Sequence, residues 1–534
     1  MSRISPLAWE LVVLFLAAFL TGAITSNANP LLPRHNWPSL RFHFTLKRSS
    51  MSIYGQSNVS MIASPVVSAN GSRVFYNAFA TFSEDSKVSN YTLVDGVTYV
   101  STGATGSSTT SPQVKCAGAE FDEILPVNTI IAAINEATPI ASSGDSAIHC
   151  SSGSMFKVSI GDFDFVLCAL GSSGFSIQGS DLDIEVEYLE KYVDMTSLLV
   201  KSGKLPDCTA KAQVSVVTSV GKSLLTGEPI APTNSRNLKA EFDFSFFHKS
   251  KCSCRSTPRP CIFMHGLRVP EEIARNEETF SRYWGTYLPD QAPCCSSMKF
   301  AHLNTMNYSW TDETRQQLVC DRVLAVSRTS TDFVVADTIV VTHSMGGLLL
   351  AGAIANGLCS LASNSTWVSM AAPMAGSMGS DYNQASCAGK SNFIVNTLVR
   401  MHNECPVGRA VRSLAYENGE YSSKGLKAAY RAAQQAYRTN VSAAMCSENY
   451  AGLISTYQAY FWVLGHMIPH KSSDNDGMVE FQSCAAGMSR KRFGNSYLNR
   501  FYVTRLNHYD MTFRSGDALF SKAKMPMKWF ECLL

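Results

Sequence analysis

The residue best placed to do chemistry is Ser344, which stands at the joint between a predicted strand and a predicted helix. Residues 338–342, in the stretch DTIVVTHSMGG, are β-branched throughout, which favours a strand buried on both faces. Leucines, alanines and glycines follow the serine, and this composition favours a closely packed helix. A serine on so sharp a turn is typical of a nucleophile, because its hydroxyl stands above the sheet at the positive end of the helix. The alternative is a tight structural corner with an incidental serine.

The partners of such a serine are expected in a fixed order along the chain, an acid first and then a histidine. Of eleven histidines, only His508 follows the acidic cluster DNDGMVEF. The aspartates between the serine and this histidine are Asp381, Asp474 and Asp476. Asp381 comes early, near the strand after the nucleophile helix, whereas Asp476 sits at a turn before a predicted strand, where the acid belongs. We therefore predict Ser344 as nucleophile, Asp476 as orienting acid and His508 as general base, the alternative being an ordinary Asp-Gly turn and an unrelated histidine.

Alternating strands and helices predict the framework that positions these residues. CIFMHG is a short buried strand, STWVSMAAP is another, and DETRQQLVCDRVLAVSR is an amphipathic helix with Thr311 as its cap. Such alternation predicts right-handed crossovers and a mostly parallel sheet in an α/β domain at residues 241–534. The residues at about 378–473 are too many for a loop of a compact domain, and they are predicted to form a cap.

Residues 29–225 differ in composition, being rich in Ser, Thr, Gly and Val, with short alternating runs such as DLDIEVEYLEKYVDM. These runs predict an antiparallel β-rich domain of sandwich or curved-sheet type, with one helix in ILPVNTIIAAINEATPI. No group of His, Asp or Cys residues in it indicates chemistry, so a recognition module and a structural spacer are both open. A linker with Pro and Gly is predicted at 226–240, and the β-rich domain is predicted to be separable from the chemistry beyond it.

The C-terminal half resembles the α/β-hydrolase superfamily and, within it, triacylglycerol lipases of the bacterial type. The motifs HG, HSMGG, AAPMAGS, NDGMV and NHYD occur in that family's order within residues 255–515. The cap is unmatched, the N-terminal domain is unrecognised, and Thr342 stands at the first glycine of the usual G-x-S-x-G pattern. The resemblance implies for Ser344, Asp476 and His508 the same roles that their order predicts.

The resemblance also implies which groups receive the negative charge of an acyl-transfer intermediate. In lipases the residue after a His-Gly pair gives one backbone N–H, which here is Leu267, and the residue after the serine, Met345, gives the second. Those lipases often bind calcium, and Asp510 follows the histidine as a calcium ligand would. No second ligand is apparent, so neither a metal nor a cofactor is predicted. The residues that support the two motifs are His265, Gly266, His343 and Gly346.

The N-terminal residues and two counts predict export. Arg3, an apolar run over residues 11–20 and the small residues after it are typical of a secretory signal peptide in residues 1–28, with an uncleaved anchor as the alternative. Sixteen cysteines, an even number, favour disulfides over zinc in an oxidising compartment. We therefore predict a glycoprotein that is secreted, or held in an endomembrane lumen or at the cell surface. Its N-glycosylation sequons are at Asn58, Asn70, Asn90, Asn307, Asn364 and Asn440.

The predicted function is hydrolysis of carboxylic esters, lipids in particular, through a Ser-His-Asp triad and an acyl-enzyme. The alternatives are an acyltransferase or thioesterase with the same triad, and a binding or adhesion protein on a hydrolase scaffold. The aromatic stretch YAGLISTYQAYFWVLGHM in the predicted cap would contact acyl chains or a lipid surface, unless it is an ordinary buried helix. A net charge of +3 with only short basic runs, such as residues 490–492, predicts no nucleic-acid partner.

Overall fold

Two sheets organise the chain, an antiparallel one in the N-terminal region and a parallel one in the C-terminal region. This arrangement confirms the coarse prediction of a β-rich part followed by an α/β part. The predicted signal peptide at 1–28 lies outside the described residues, as does the 231–240 part of the predicted linker. The computed structural model describes residues 31–32, 37–84, 87–104, 113–116, 125–140, 150, 154–199, 206–208, 210, 213–230, 250–390, 405–455 and 457–534.

The N-terminal region forms one continuous antiparallel sheet, which has thirteen strands within the described residues. In its second strand, Leu40–Leu46, every second residue is buried, so one face carries the core and the other is wetter. The strands are β1 (Leu31–Leu32), β2 (Leu40–Leu46), β3 (Asn58–Ser68), β4 (Arg73–Glu84), β5 (Lys87–Val94), β6 (Val97–Ala104), β7 (Gln113–Cys116), β8 (Thr138–Ile140), β9 (Met155–Ile160), β10 (Phe163–Ala169), β11 (Phe175–Gln178), β12 (Leu182–Tyr188) and β13 (Ser215–Val216). They lie in the order β7-β6-β5-β4-β3-β2-β12-β11-β10-β9-β8, with β1 against β3 and β13 against β4.

A helix covers the buried face of this sheet, in the stretch where the sequence predicts one. In this helix Ile130, Ile131 and Ile134 are fully buried, in the same core as the strands. Burying a side chain of this size stabilises the fold by about 1.5–3 kcal/mol, so the helix fixes the sheet's inner face. The helices of this region are α1 (Val127–Asn135), α2 (Thr196–Leu199) and α3 (Ser219–Thr226).

The C-terminal region holds a six-stranded sheet whose described strands are all parallel. The strands of this region are β14 (Arg259–Met264), β15 (Cys295–Ala301), β16 (Val334–Val335), β17 (Ile339–His343), β18 (Ser360–Leu361), β19 (Thr366–Met370), β20 (Val441–Ser447) and β21 (Phe501–Thr504). The sheet order is β15-β14-β17-β19-β20-β21, and β16 pairs with β18 apart from it. Every residue of β17 and β19 is buried, as expected for strands with helices on both faces. Residues that follow these strands therefore meet at one edge of the sheet.

The helix before β16 begins one residue later than the sequence predicts. Its cap is Asp312, whose carboxylate accepts a hydrogen bond from the backbone N–H of Thr314 at 3.1 Å. The predicted cap, Thr311, is wrong because its hydroxyl is engaged by Ser309 at 2.7 Å. The helices are α4 (Ser281–Trp284), α5 (Glu313–Leu324), α6 (Met345–Ala355), α7 (Met378–Cys387), α8 (Arg409–Arg412), α9 (Lys424–Asn440), α10 (Gln458–Met467), α11 (Phe481–Ala485) and α12 (Pro526–Cys532), with single 3₁₀ turns at Ser49–Met51, Gly171–Ser173, Leu288–Asp290, Arg490–Arg492, Asp510–Thr512 and Lys522–Lys524.

The cap predicted at about 378–473 is wrong for much of its second half. Strand β20 lies inside the parallel sheet, between β19 and β21, and α9 before it packs against α6. Residues 424–447 are therefore a helix-strand unit of the central domain. The strand could not be predicted from its sequence, VSAAMCS, because only its first residue is β-branched. Among the described helices of the predicted cap, α7, α8 and α10 lie outside this unit.

The two regions are packed against each other through a common core and buried charges. Leu519, Phe520 and Met525 belong to the hydrophobic core of the antiparallel sheet. The guanidinium of Arg48, in the loop after β2, lies 2.5 Å from the carboxylate of Glu531 in α12, and both side chains are almost fully buried. A second buried ion pair joins Lys528 of α12 to Asp181, and Ser50 donates to Asp517 at 2.8 Å. This packing does not favour the prediction that the β-rich part is separable from the rest.

All sixteen cysteines form disulfides, which confirms the prediction of disulfides over a zinc site. Four of the six sequon asparagines are exposed, and Asn90 and Asn440 are half-buried; glycosylation itself stays a prediction. In the described part of the chain, no helix has the length and apolar character needed to cross a membrane. The pairs are Cys116–Cys208, Cys150–Cys168, Cys252–Cys532, Cys254–Cys294, Cys261–Cys295, Cys320–Cys359, Cys387–Cys405 and Cys446–Cys484.

Candidate active site

Ser344 connects β17 directly to α6 in a backbone conformation that costs free energy. Its φ of 55° and ψ of −129° are rare for a residue with a side chain, and such strain persists only where the surroundings hold it. One restraint is the hydrogen bond from its backbone N–H to the carbonyl of Met370 in β19, at 2.9 Å. The turn leaves the hydroxyl at the carboxyl edge of the sheet and at the N-terminal end of the helix.

Small residues after the serine let the helix fold back against β14. A Cβ added to Gly346 would lie 2.5 Å from the backbone oxygen of His265, closer than any side chain tolerates. On the other side of the serine, Thr342 fits because its hydroxyl accepts a hydrogen bond from the indole nitrogen of Trp367 at 2.9 Å. Thr342, which replaces the first glycine of the G-x-S-x-G pattern, is thus buried and hydrogen-bonded to Trp367 of the neighbouring strand β19.

The structure brings the three predicted triad residues into one chain of hydrogen bonds. Nε2 of His508 is 3.0 Å from Oγ of Ser344, and Nδ1 of the same ring is 2.7 Å from Oδ2 of Asp476. The other carboxylate oxygen of Asp476 accepts from the backbone N–H groups of Met478 and Val479, at 2.9 and 2.7 Å. An ionised carboxylate only accepts hydrogen bonds, so Nδ1 of His508 carries the proton and Nε2 is left to accept one from the serine.

The other two candidate acids lie elsewhere. The carboxylate of Asp381, in α7, accepts from the backbone N–H of Tyr416 at 2.6 Å, and burial raises the pKa of Asp381 to about 6. The half-buried Asp474 contacts the hydroxyl of Ser473 at 3.4 Å. Within the described chain, neither carboxylate is hydrogen-bonded to the imidazole of His508.

Residues 265–267, which we term the oxyanion loop, follow β14 and lie against the serine. The carbonyl of Gly266 accepts hydrogen bonds from Oγ1 of Thr305 at 2.6 Å and from Nδ1 of His265 at 2.9 Å. In a trans peptide the next N–H points away from that carbonyl, so these bonds also fix the direction of the Leu267 N–H. Within the described chain the N–H groups of Leu267 and Met345 donate to no other group, and both remain able to bind an anion.

His265 supports the oxyanion loop as a neutral ring. It is fully buried, and burial lowers the pKa of His265 to about 4. Its Nε2 accepts from the backbone N–H of Leu303 at 2.9 Å, which leaves the proton on Nδ1 for Gly266. The His265 ring therefore connects the first residues of the oxyanion loop to Leu303, which is a structural role and the one predicted for this residue of the motif.

A cavity of about 260 Å³ opens beside the serine hydroxyl. Most of its wall is apolar, and α10 contributes one side of it through Phe461, Leu464 and Met467. Two neighbouring side chains of this helix are unusually exposed for their type, Tyr460 at 49% and Trp462 at 43%. The aromatic stretch is therefore not an ordinary buried helix, since it buries Phe461 and exposes Tyr460 and Trp462, and its contact with acyl chains or a lipid surface stays a prediction.

Asp510, the possible calcium ligand, already accepts hydrogen bonds from several protein groups. The buried carboxylate of Asp510 accepts hydrogen bonds from the Leu453 N–H at 2.7 Å, from Asn507 at 2.5 Å and from Ser515 at 2.6 Å. Burial raises the pKa of Asp510 to about 6. This set of donors does not fit a cation ligand. In the part of the chain that the structure describes, no three His, Cys, Asp or Glu side chains are grouped so as to hold a metal ion.

Sequence reasoning missed Tyr283, which lies in the short helix α4 and lines the cavity. Its hydroxyl contacts both the oxyanion loop and His343, at 2.7 and 2.6 Å. No sequence signal marks it, since SRYWG matches no motif and precedes the serine by about sixty residues.

The geometry predicts different effects for the two neighbouring aspartates. Asp476→Asn is expected to lower ester turnover by about 10⁴-fold, because an amide cannot hold the His508 ring in the required tautomer or stabilise its positive charge. Asp474→Asn is the matched control and is expected to change turnover by less than about twofold, as its carboxylate is outside hydrogen-bond reach of the ring. Steady-state kinetics on a soluble ester measure both; greater sensitivity at Asp474 would contradict the assignment.

Comparisons with known proteins give no family for the chain. No protein-family model matches it, and neither does any curated protein. Among solved structures it is similar to Staphylococcus hyicus lipase, at 13% identity and a TM-score of 0.27, over 52% of this chain and 95% of that one. It is also similar to EstA from Clostridium botulinum, at 14% identity and a TM-score of 0.27, over 53% and 89%. Values this low assign neither a family nor an activity.

Proposed function

We propose that the chain is an exported serine hydrolase of the α/β-hydrolase type that cleaves carboxylic esters through an acyl-enzyme. The observation that carries this proposal is the hydrogen-bond chain from Asp476 through His508 to Ser344, at the mouth of an apolar cavity. The strained backbone of the serine and the two unengaged N–H groups beside it support the same chemistry. Eight disulfides fit an oxidising compartment.

The geometry supports a two-step mechanism. His508 takes the proton of the Ser344 hydroxyl as its oxygen attacks the ester carbonyl, and Asp476 stabilises the imidazolium that results. The N–H groups of Leu267 and Met345 bind the oxyanion, and the alcohol leaves with the proton from His508. Water, activated by the same histidine, then attacks the acyl-enzyme and releases the acid.

The cavity favours esters with an apolar acyl group. Most of its exposed wall is apolar and no carboxylate of the described chain lines it, although Arg268, Ser377 and Asn383 also reach it, so an alkyl chain would be desolvated along the apolar part of the wall. Tyr460, which lines the cavity, and its neighbour Trp462 are both exposed, and such aromatic side chains favour a substrate presented by a lipid surface. We therefore place lipid esters first among the substrates of this site.

A fluorophosphonate probe tests the proposed function directly. The wild-type protein should form a covalent adduct, and peptide mapping should place it on Ser344, since this serine alone among the described residues is hydrogen-bonded to the ring of His508. Labelling should be sharply reduced in His508→Ala. An adduct on another serine, or no adduct with intact folded protein, would contradict the proposal and favour a binding protein. Product analysis with an added alcohol acceptor separates hydrolysis from acyl transfer.

A further inference from the structure

The hydroxyl of Tyr283 lies between the two halves of the candidate site. It is 2.7 Å from the backbone nitrogen of Gly266, in the oxyanion loop, and 2.6 Å from Nδ1 of His343, the residue before the serine. Nε2 of His343 is in turn 3.0 Å from the backbone oxygen of His508. Three hydrogen bonds in series therefore join the oxyanion loop to the backbone of the general base.

The direction of each of these hydrogen bonds follows from its partners. The backbone oxygen of His508 can only accept, so Nε2 of His343 carries a proton and donates it. Burial lowers the pKa of His343 well below its ordinary value, so the ring is neutral and Nδ1 is an acceptor. The Tyr283 hydroxyl must then donate to Nδ1, and its oxygen accepts from the Gly266 N–H. Burial also raises the pKa of Tyr283, so the phenol keeps its proton.

Gly266 is the residue that this series restrains. A Cβ here would lie 2.5 Å from the Cβ of Ser344, so the position requires glycine, whose backbone is the least restricted of all residues. The N–H of Gly266 donates a hydrogen bond to the Tyr283 hydroxyl, and its C=O accepts one from Thr305 at 2.6 Å. Both peptide planes that meet at this glycine are therefore fixed, including the plane that carries the Leu267 N–H.

Tyr283 is itself held in place from the opposite side. The guanidinium of Arg514 donates to the backbone oxygen of Tyr283 at 2.7 Å, and its central carbon lies 5.2 Å from the centre of the tyrosine ring. The same guanidinium donates through Nε to Thr512 at 2.8 Å. The phenol is consequently presented to Gly266 and His343 in one orientation.

We infer that Tyr283 is a positioning residue, which sets the place of the oxyanion-loop N–H of Leu267 relative to the imidazole of His508. It acts through Gly266 and His343 and does not contact the reacting atoms. The inference rests on the proposed function, because it assigns a role within the same reaction. A tyrosine that only filled space would affect the stability of the fold and leave the chemical step as it is.

Tyr283→Phe removes the hydroxyl and keeps the ring, so the cavity wall is unchanged. We expect kcat for a soluble ester such as p-nitrophenyl butyrate to fall by about 10- to 100-fold, because a donor displaced by a fraction of an ångström no longer matches the oxyanion. KM should stay within about threefold, since the apolar contacts with the acyl chain remain. The rate of fluorophosphonate labelling at Ser344 should fall in parallel with kcat.

Tyr430→Phe is the matched control. The Tyr430 hydroxyl also donates one hydrogen bond, to the backbone oxygen of Ser413 at 3.1 Å, but the residue is buried on the inner face of α9 and does not line the cavity. Its kcat should equal that of the wild type, with a melting temperature lowered about as much as in Tyr283→Phe.

Thr305→Val provides a second variant, since it releases the other side of Gly266. It should also lower kcat selectively, and the double variant Tyr283→Phe/Thr305→Val should lose less than the product of the two single losses, because both act on one glycine. If Ser344 is labelled but Tyr283→Phe keeps the kcat of Tyr430→Phe, or if the two losses multiply, the inference is overturned. If wild-type Ser344 is not labelled, the proposed function has failed instead.

Discussion

Replacing Ser344 with alanine should lower ester turnover by about 10⁴- to 10⁶-fold, with the fold intact. The hydroxyl is the atom that attacks, and the backbone conformation at this position is held by β19 and α6 and does not depend on the side chain. A small residual rate should remain, because the N–H groups of Leu267 and Met345 still polarise a bound ester.

His508→Ala should cost a similar factor, and the double variant should be little slower than either single one, since serine and histidine act as one unit. Ser365→Ala is a matched control: its hydroxyl also makes a hydrogen bond, to the Val335 backbone at 2.9 Å, but at the opposite edge of the same sheet. Its turnover should equal that of the wild type. Retention of more than about a hundredth of the activity in Ser344→Ala would rule out this serine as the nucleophile.

Arg48→Ala is expected to lower the free energy of unfolding by about 3–5 kcal/mol, the usual cost of removing one partner of a buried ion pair. The side chain is almost completely buried and lies 2.5 Å from Glu531 and 3.9 Å from Asp517. It also donates to the side chain of Gln291 at 2.8 Å and to the backbone oxygen of Ser250 at 2.5 Å. Alanine would leave two carboxylates in the interior without their cation and an amide oxygen without its donor.

Arg41→Ala is the control on the same sheet. Its guanidinium lies 3.6 Å from Glu187 with both side chains about half exposed, so its loss should cost less than about 1 kcal/mol. Chemical denaturation in a non-reducing buffer compares the two variants with the disulfides intact. A difference between them below about 1 kcal/mol would show that the buried charges contribute little. A truncation that starts near residue 231 removes Arg48 too, so for the same reason we expect it to lose the fold along with the activity.

The sequence predicts the site well where the chemistry has local signatures. A β-branched run, a serine and two glycines are adjacent in the chain, so the turn at Ser344 is visible in one short stretch. The fixed order of acid and histidine then selects Asp476 and His508 from several candidates, and the hydrogen-bond chain joins the same residues. The helix Val127–Asn135 and the parallel sheet follow in the same way from periodicity.

Contacts between distant parts of the chain have no such signature. Nothing in the sequence around Tyr283 indicates its role, because its contacts with Gly266 and His343 are formed only in the folded chain. Strand β20 is rich in alanine and has little strand propensity of its own, so its structure is decided by its position in the sheet between β19 and β21. Arg48 and Glu531 are separated by most of the chain, and nothing near either residue indicates that they form a buried pair.

The shared core has a consequence for how the protein is made. Synthesis proceeds from the N-terminal side, so the antiparallel sheet is complete as a sequence long before Leu519, Phe520 and Met525, which fill its core, have been translated. Until then the part of the core that these three residues fill is incomplete, and Arg48 lacks the carboxylates of Asp517 and Glu531. We therefore expect the β-rich region to complete its core only after the C-terminal residues have been synthesised, and not to reach its full stability as a domain that folds by itself during synthesis.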